Sequence, residues 1–496
     1  MFPGFLALAL LSLLGASTQA FHDDLVKCFE DPQYEELLQL AQDGLGQTAE
    51  KKRRVVIGEG MAGLTAAKIF QDAGHQVTVL EASGHVGGRI ETHRVPGTQL
   101  YIELGAMRIP INHRLCHEFI RKLGLTLKEF FPSNNQTWVL INGVRQRMGI
   151  VQADPSLLGY SVKADEVGKT GDQLFDEAFR KLPKHSDLVY LIKVGNLSHG
   201  AVQMIGDLLN TDSCYYESFI ETLRDMIIFS QESRFHEIIR GFDQLPQALL
   251  DALLPGTVLF HSPAEEVEIS RDHFHVTFRT ADPLQPRSRL TADFVVVAST
   301  GKAAQLLRFR PPYSLNKENS LRSVHYTSAT KVILACTQRF WEQEGIFGGK
   351  SSTDRPTHFI HYPSRIFPNG TGVILASYTV HDDSMFFAAM DDAQVVDIIL
   401  DDLAAVHDRP KEHQDPYSIG AFTSFPPYQY VDYAQELSHP EGRVHFAGEH
   451  TALPHGWIDT AIKSGLRAAK SIQESVDLAL TKDPGDTKKA YSKSEL

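Results

Sequence analysis

Several features are scarce in this sequence, and each absence narrows what the chain can be. Only four cysteines and three tryptophans occur in 496 residues. A disulfide-dense scaffold is excluded, because such scaffolds are short and rich in cysteine. There is no long basic run and the net charge is −13, so the positive stripe that nucleic-acid binding needs is missing. Beyond residue 20 no stretch is long and apolar enough to span a bilayer, which argues against stable membrane insertion. No cysteine–histidine cluster has ligand spacing, so no catalytic metal is expected. There is no internal repeat. What remains is an ordinary globular balance, 42% hydrophobic and 22% charged, in a chain long enough for two lobes.

Residues 1–20 have the pattern of a secretory signal peptide. Phe5 to Leu14 forms the apolar core and Thr18-Gln19-Ala20 offers small residues for cleavage, although no Lys or Arg precedes the core. Secretion is therefore expected, with the lysosome as the other destination. Three glycosylation acceptors fit that route: Asn135-Gln136-Thr137, Asn196-Leu197-Ser198 and Asn369-Gly370-Thr371. In an oxidising compartment Cys28, Cys116, Cys214 and Cys336 allow 3 disulfide connectivities.

Along the chain, residues 21–52 form a helical lead-in. The basic tetrad Lys51 to Arg54 is expected to be solvated where the first strand begins. From Val55 the pattern is strand, glycine-rich turn, helix (Ala62 to Asp72), turn at Gly74 and strand (Val77 to Leu80), one βαβ unit. Leu115 to about Ile239 is mostly helical in pattern. Strands follow at Val267 to Ile269 and Phe274 to Phe278, and Phe294 to Ala298 has the continuous apolar character of a buried parallel strand. Residues 331–336 and 373–378 are strands, Val444 to Ala447 is the last strand, and Ile458 to about Val476 the last helix. The expected architecture is α/β: a domain built on this βαβ unit, discontinuous over 53–92, 240–320 and 440–478, with a mixed-sheet second domain over 93–130 and 321–439. A helical domain is inserted at 131–239, and 481–496 form a disordered tail.

The chemistry begins at Gly58-Glu59-Gly60-Met61-Ala62-Gly63. Gly58 makes the tight turn after the strand, Gly60 lets a pyrophosphate reach the backbone, and Gly63 lets the helix pack closely. The helix start presents unpaired N–H groups to the phosphates. Glu81 ends the next strand, where a carboxylate grips ribose hydroxyls. These residues alone permit NAD or FAD. Val86-Gly87-Gly88-Arg89 supplies a second phosphate contact through Arg89, and the distant Phe446-Ala447-Gly448-Glu449-His450 closes the site with a carboxylate for a ribityl hydroxyl. Together they select FAD, which makes the discontinuous domain a Rossmann-type FAD-binding domain and the mixed-sheet one the substrate domain. His455-Gly456-Trp457 then opens a slim helix (Ala461, Ser464, Gly465, Ala468) whose N-terminus can face the electron-accepting ring.

With Leu104-Gly105-Ala106-Met107-Arg108, Gly241 to Pro246, Arg322 to Tyr326 and Thr330-Lys331, this set resembles the secreted L-amino-acid oxidases of the flavin amine oxidase superfamily, the venom enzymes and their vertebrate relatives. The likeness runs from about Cys28 to about Ile472. It implies oxidative deamination of L-amino acids, aromatic or large apolar ones by family default, to 2-oxo acids, ammonia and hydrogen peroxide. Oxygen is the co-substrate, and a homodimer is left open. Arg108 would clamp the substrate carboxylate in a bidentate pair, Tyr378 would add a hydroxyl bond, Trp457 would frame the amino group, and Lys331 would hold a water near the reactive ring. Gly58, Gly60, Met61, Ala62, Gly63, Glu81, Ala82, Arg89, Gly105, Ala106, Met107, Arg108, Glu266, Gly448, Glu449, Gly456, Trp457 and Ile458 would contact FAD.

Two stretches are shorter than in this family, between Ala178 and Tyr190 and between Lys411 and Phe422. The family pairs the counterparts of Cys28 and Cys336 with cysteines in those stretches, so both would lack their usual partners here, leaving Cys116 and Cys214 as plain buried thiols. No histidine occupies the place near Leu223-Arg224-Asp225 where some venom members have one, and Asp225 is given no catalytic role. The rival readings are an amine or polyamine oxidase, against which Arg108 speaks, and a shortened non-catalytic isoform.

Overall fold

A computed structural model describes residues 29–95, 98–179, 191–212, 215, 217–229, 234–282, 284–367, 370–409, 416–418, 421–423 and 429–481. The expected signal peptide, Cys28, Cys214, Asn369, most of the two shortened stretches and nearly all of the tail lie outside them. Nine elements position the site: β1 (Arg53–Ile57), α1 (Met61–Asp72), β2 (Gln76–Leu80), α2 (Phe219–Ile228), β3 (Phe294–Val297), β4 (Tyr326–Cys336), β5 (Gly372–Val380), β6 (Val444–Phe446) and α3 (Ile458–Thr481).

A five-stranded parallel sheet runs Val258–Leu259, β2, β1, β3, β6. The run Val55–Ile57 of β1 and all of β3 are apolar because both faces are covered there. Val56 and Val296 pack among α1 and α3, while Val55, Ile57, Val295 and Val297 pack against a four-stranded sheet of residues 264–310 on the other side. Small residues let the two helices touch. A Cβ at Gly63 would stand 2.0 Å from the Gly58 carbonyl oxygen, and one at Gly465 would stand 2.3 Å from that of Ala62.

The basic tetrad keeps its expected solvation at Lys51 to Arg53 in whole or in part and departs from it at Arg54. Arg54 is 1% exposed. Its guanidinium lies 4.3 Å from the Phe294 ring centre and 5.5 Å from that of Phe70, and aromatic faces are favourable contacts for a guanidinium in a place a solvated cation would avoid.

The second sheet is built on β4 and β5, antiparallel and long, and continues through Phe359–His361 and Lys350–Thr353 to Trp138–Ile141 and Val144–Arg147. The last two strands correct the helical reading of the inserted segment. A four-residue apolar run is ambiguous between strand and helix. The deciding signal was Asn142-Gly143, both at positive φ (52° and 74°), the turn chemistry of a two-residue hairpin. Leu127–Phe130 and Phe235–Ile238 are strands as well. The α-helices of the insertion include Met148–Ala153, Gly171–Phe179, His199–Leu209 and α2, joined by turns and irregular segments. Among the described residues no helix is long and apolar enough to cross a membrane.

Candidate active site

One cavity of about 1990 Å³ runs from the ends of β1 and β2, past the start of α3, to the second sheet and α2. Its dinucleotide end is formed by turns whose conformations require glycine. Gly58 has φ +105°, and Gly60, beside the α1 N-terminus, has no atom within 4 Å of an added Cβ, so the backbone there is open to a ligand. The Glu81 carboxylate is fixed by the N–H groups of Glu59 (2.9 Å) and Ser83 (2.7 Å). Arg89 NH1 donates to Glu449 Oε1 at 2.6 Å, and Glu449 Oε2 accepts from the Gly456 N–H at 2.8 Å. One carboxylate thus joins the second glycine loop to the turn that starts α3. Open backbone at a helix start, an oriented ribose-side carboxylate and a long cleft together fit FAD.

The other end has a floor set by strand register. Lys331 of β4 lies opposite Tyr378 of β5, Tyr378 opposite Phe359, and His361 opposite Lys350. Paired residues share a sheet face, and all five line the cavity. Lys331 Nζ donates to the carbonyls of Gly105 (2.5 Å) and Glu103 (3.3 Å). Burial pulls its pKa down to about 7, against the attraction of Glu103. Burial also lowers Lys350 to about 7 and holds His361 well below its ordinary value, with Arg108, Lys350 and Lys331 adding repulsion. Both ring nitrogens of His361 are without a hydrogen-bond partner.

Arg108 faces this floor. Its guanidinium stands 4.8 Å from the ring centre of Phe229, 5.6 Å from Phe235 and 5.9 Å from Phe130. No carboxylate of the described residues forms an ion pair with it, although Asp225 of α2 attracts it from the chamber wall. Trp457 meets His113 edge-on at 5.0 Å and Phe229 at 5.6 Å. On α2 and just before it, Glu217, Glu221 and Asp225 line the wall. Glu221 is tied to His455 at 2.8 Å and Glu217 to His381 at 2.9 Å, while burial first, and then these two neighbours, push the Asp225 carboxyl well up against the pull of Arg108.

Of the residues expected from sequence to contact FAD or substrate, all line the cavity except Gly63 and Glu266. Gly63 is set back at the α1–β1 contact, where its lack of a side chain lets the helix approach. Glu266 stands apart and pairs with Arg310 at 3.0 Å. Its strand slips register between Ala264 and Glu266, and such irregularities re-aim side chains; Ala264 and Glu265 reach the cavity instead. The residues missed were Glu59, Phe359, His361 and Lys350. The first sits inside a quoted motif, and the others come together only through pairing of distant strands. Cys116 is a free, fully buried thiol. Among the described residues Asp212, His358 and Asp383 bring ligand atoms within 4.8 Å of one another, but none of the three lines the cavity.

A dinucleotide cradle opening onto a chamber that holds a buried lysine, and an arginine without an ion-pair partner among the described residues, is the arrangement of a flavin oxidoreductase. The chain belongs to the flavin containing amine oxidoreductases, whose pattern matches residues 61–473, and its cofactor is FAD. It is 44% identical over 500 residues to the L-amino-acid oxidase of Naja atra, covering 95% of this chain and 97% of that one. It is likewise 44% identical over 502 residues to that of Echis ocellatus, covering 95% and 99%. The motif resemblance is thereby borne out. Among solved structures, cyclohexylamine oxidase from Brevibacterium oxydans shares the fold with a TM-score of 0.69 at 18% identity, covering 86% of this chain and all (100%) of that one. Putrescine oxidase bound to putrescine does so with a TM-score of 0.67 at 18% identity, covering 86% and 99%.

Proposed function

We propose that this chain is an L-amino-acid oxidase that converts an L-amino acid, oxygen and water to a 2-oxo acid, ammonia and hydrogen peroxide. The observation that carries this reading is Arg108, a guanidinium held among three aromatic rings with no carboxylate partner among the described residues. A cation so placed is costly unless a ligand supplies the counter-charge, and the α-carboxylate of an amino acid does so in bidentate geometry. Tyr378, across the floor from Lys331, adds a hydroxyl bond to the same carboxylate. The Trp457 ring and the backbone of His455 to Trp457 frame the amino group, which orients the Cα hydrogen toward the cofactor. Bound FAD supplies the two-electron acceptor for that hydrogen and passes the electrons to oxygen. Lys331 spends two donors on carbonyls and keeps its remaining position for a water. Phe229, Phe359 and Trp457 give the chamber an aromatic lining suited to aromatic or large apolar side chains.

The same reading makes the protein secreted, with Asn135 and Asn196, both exposed, as glycosylation acceptors. The three-part division into FAD-binding, substrate and helical regions belongs to it, with residues 138–147 moved to the substrate sheet.

The test compares peroxide formation from phenylalanine and leucine with that from spermine, alongside the absorbance spectrum of the purified protein. Amino-acid turnover with a flavin spectrum is expected. Turnover of amines alone would establish the amine-oxidase alternative, and a protein without flavin absorbance the non-catalytic one.

A further inference from the structure

Glu59 lies in the glycine turn, between Gly58 and Gly60. Here it is fully buried, at 0% exposure. Its own N–H donates to Glu81 Oε2 at 2.9 Å, and its Oε2 accepts from the Gly87 N–H, also at 2.9 Å. Gly60 and Gly87 form a parallel bridge beside it. Its Oε1 is enclosed and has no partner. From outside, the same loop is pressed by Pro246, whose Cγ would stand 2.7 Å from a Cβ at Gly87. One side chain therefore ties the turn of residues 58–63 to the loop of residues 86–89, and both segments line the dinucleotide end of the cavity.

We infer that Glu59 is a positioning residue for FAD: it latches the second glycine loop onto the first and so sets how tightly the cofactor is retained. The ionisable groups around it are Glu81, at the end of β2, and Arg89, on the latched loop. Arg89 is committed to Glu449 at 2.6 Å, so Glu59 has no counter-cation. Burial first, and Glu81 after it, raise its pKa to about 8, against the Gly87 hydrogen bond. The latch is thus neutral below about pH 8 and becomes an anion beside Glu81 and the cofactor phosphates above it.

The test measures the FAD dissociation constant and release rate of the wild-type protein, E59Q and E59A at pH 6.5 and pH 9, by the fluorescence of freed flavin. Glutamine keeps an acceptor for the Gly87 N–H and cannot ionise. E59Q is therefore expected to hold FAD within about threefold of wild type at pH 6.5 and to change little at pH 9. The wild type is expected to weaken about tenfold over that interval, because the competent neutral fraction falls by that factor. E59A is expected to release FAD about tenfold faster at both pH values. An E59A protein that retains FAD like the wild type, or an E59Q protein with the wild-type pH slope, would overturn the inference. Should E59A prove insoluble, the E59Q comparison decides alone.

Discussion

Arg108 and Lys331 have opposite kinds of isolation, and each leads to a measurable consequence. Arg108 has aromatic neighbours and no carboxylate partner among the described residues, so removing it leaves the substrate carboxylate unpaired. R108K keeps the charge but loses the planar fork. R108A should cost about 2–5 kcal/mol of binding, a fall in kcat/KM of roughly 30-fold to a few thousandfold with amino acids, while any residual turnover of a primary amine is spared. Steady-state peroxide assays with both substrate types check this, and equal losses for both would refute a carboxylate role. Lys331 titrates at about 7, and its neutral form has a lone pair to accept from the held water. Activity should rise as pH increases through about 7, and K331M should lower the rate and flatten that limb in a kcat/KM profile. Both residues were legible in sequence because each sits in a short motif or as an isolated charge in an apolar run. His361 and Lys350 were not, since they lie beside the same chamber only through the register of two separate strands, and no local spacing records that.

At the scale of elements, the cofactor end depends on how closely α3 approaches α1. The Ala62 carbonyl would lie 2.3 Å from a Cβ at Gly465, and Ala62 itself lines the cavity. G465V must therefore push the helices apart. Overpacking of this kind costs about 1–3 kcal/mol, and the displaced α1 should also hold FAD less tightly. Lower melting temperature together with lower flavin content per chain is the expected pair of readouts; unchanged values of both would mean the contact has slack. The βαβ unit behind this contact could be read residue by residue, because strand, turn and helix are consecutive and each glycine has its own steric task. The inserted segment was legible only in part. Its helices follow a periodic pattern, but its hairpin is short, and the Asn142-Gly143 turn was the one local mark of it. Arg54 was misjudged for a related reason: charge predicts solvation, and only the packed rings of Phe70 and Phe294 reverse that preference.

For the whole molecule, the cavity is the place where distant parts of the chain meet. Residues 58–62 and 455–458 come from opposite ends of the sequence, Asp172, Leu208 and Asp225 from the insertion, and Lys331 and Tyr378 from the second sheet. Motifs at the two ends announced the cofactor, but they could not reveal that the insertion supplies a wall of the same chamber. Because FAD contacts only the folded chain, it stabilises by mass action, about 2.7 kcal/mol at a concentration 100 times its dissociation constant. Stripping the cofactor should therefore lower the melting temperature by several degrees, and added FAD should restore it in a concentration-dependent way. The loosening should reach the insertion: limited proteolysis of the stripped protein should cut within residues 199–229 before it cuts the parallel sheet, whose strands stay buried on both faces with or without a ligand. Identical melting and cleavage with and without FAD would show that the fold stands independently of its cofactor, and the cavity would then be a preformed cleft rather than the junction that holds these parts together.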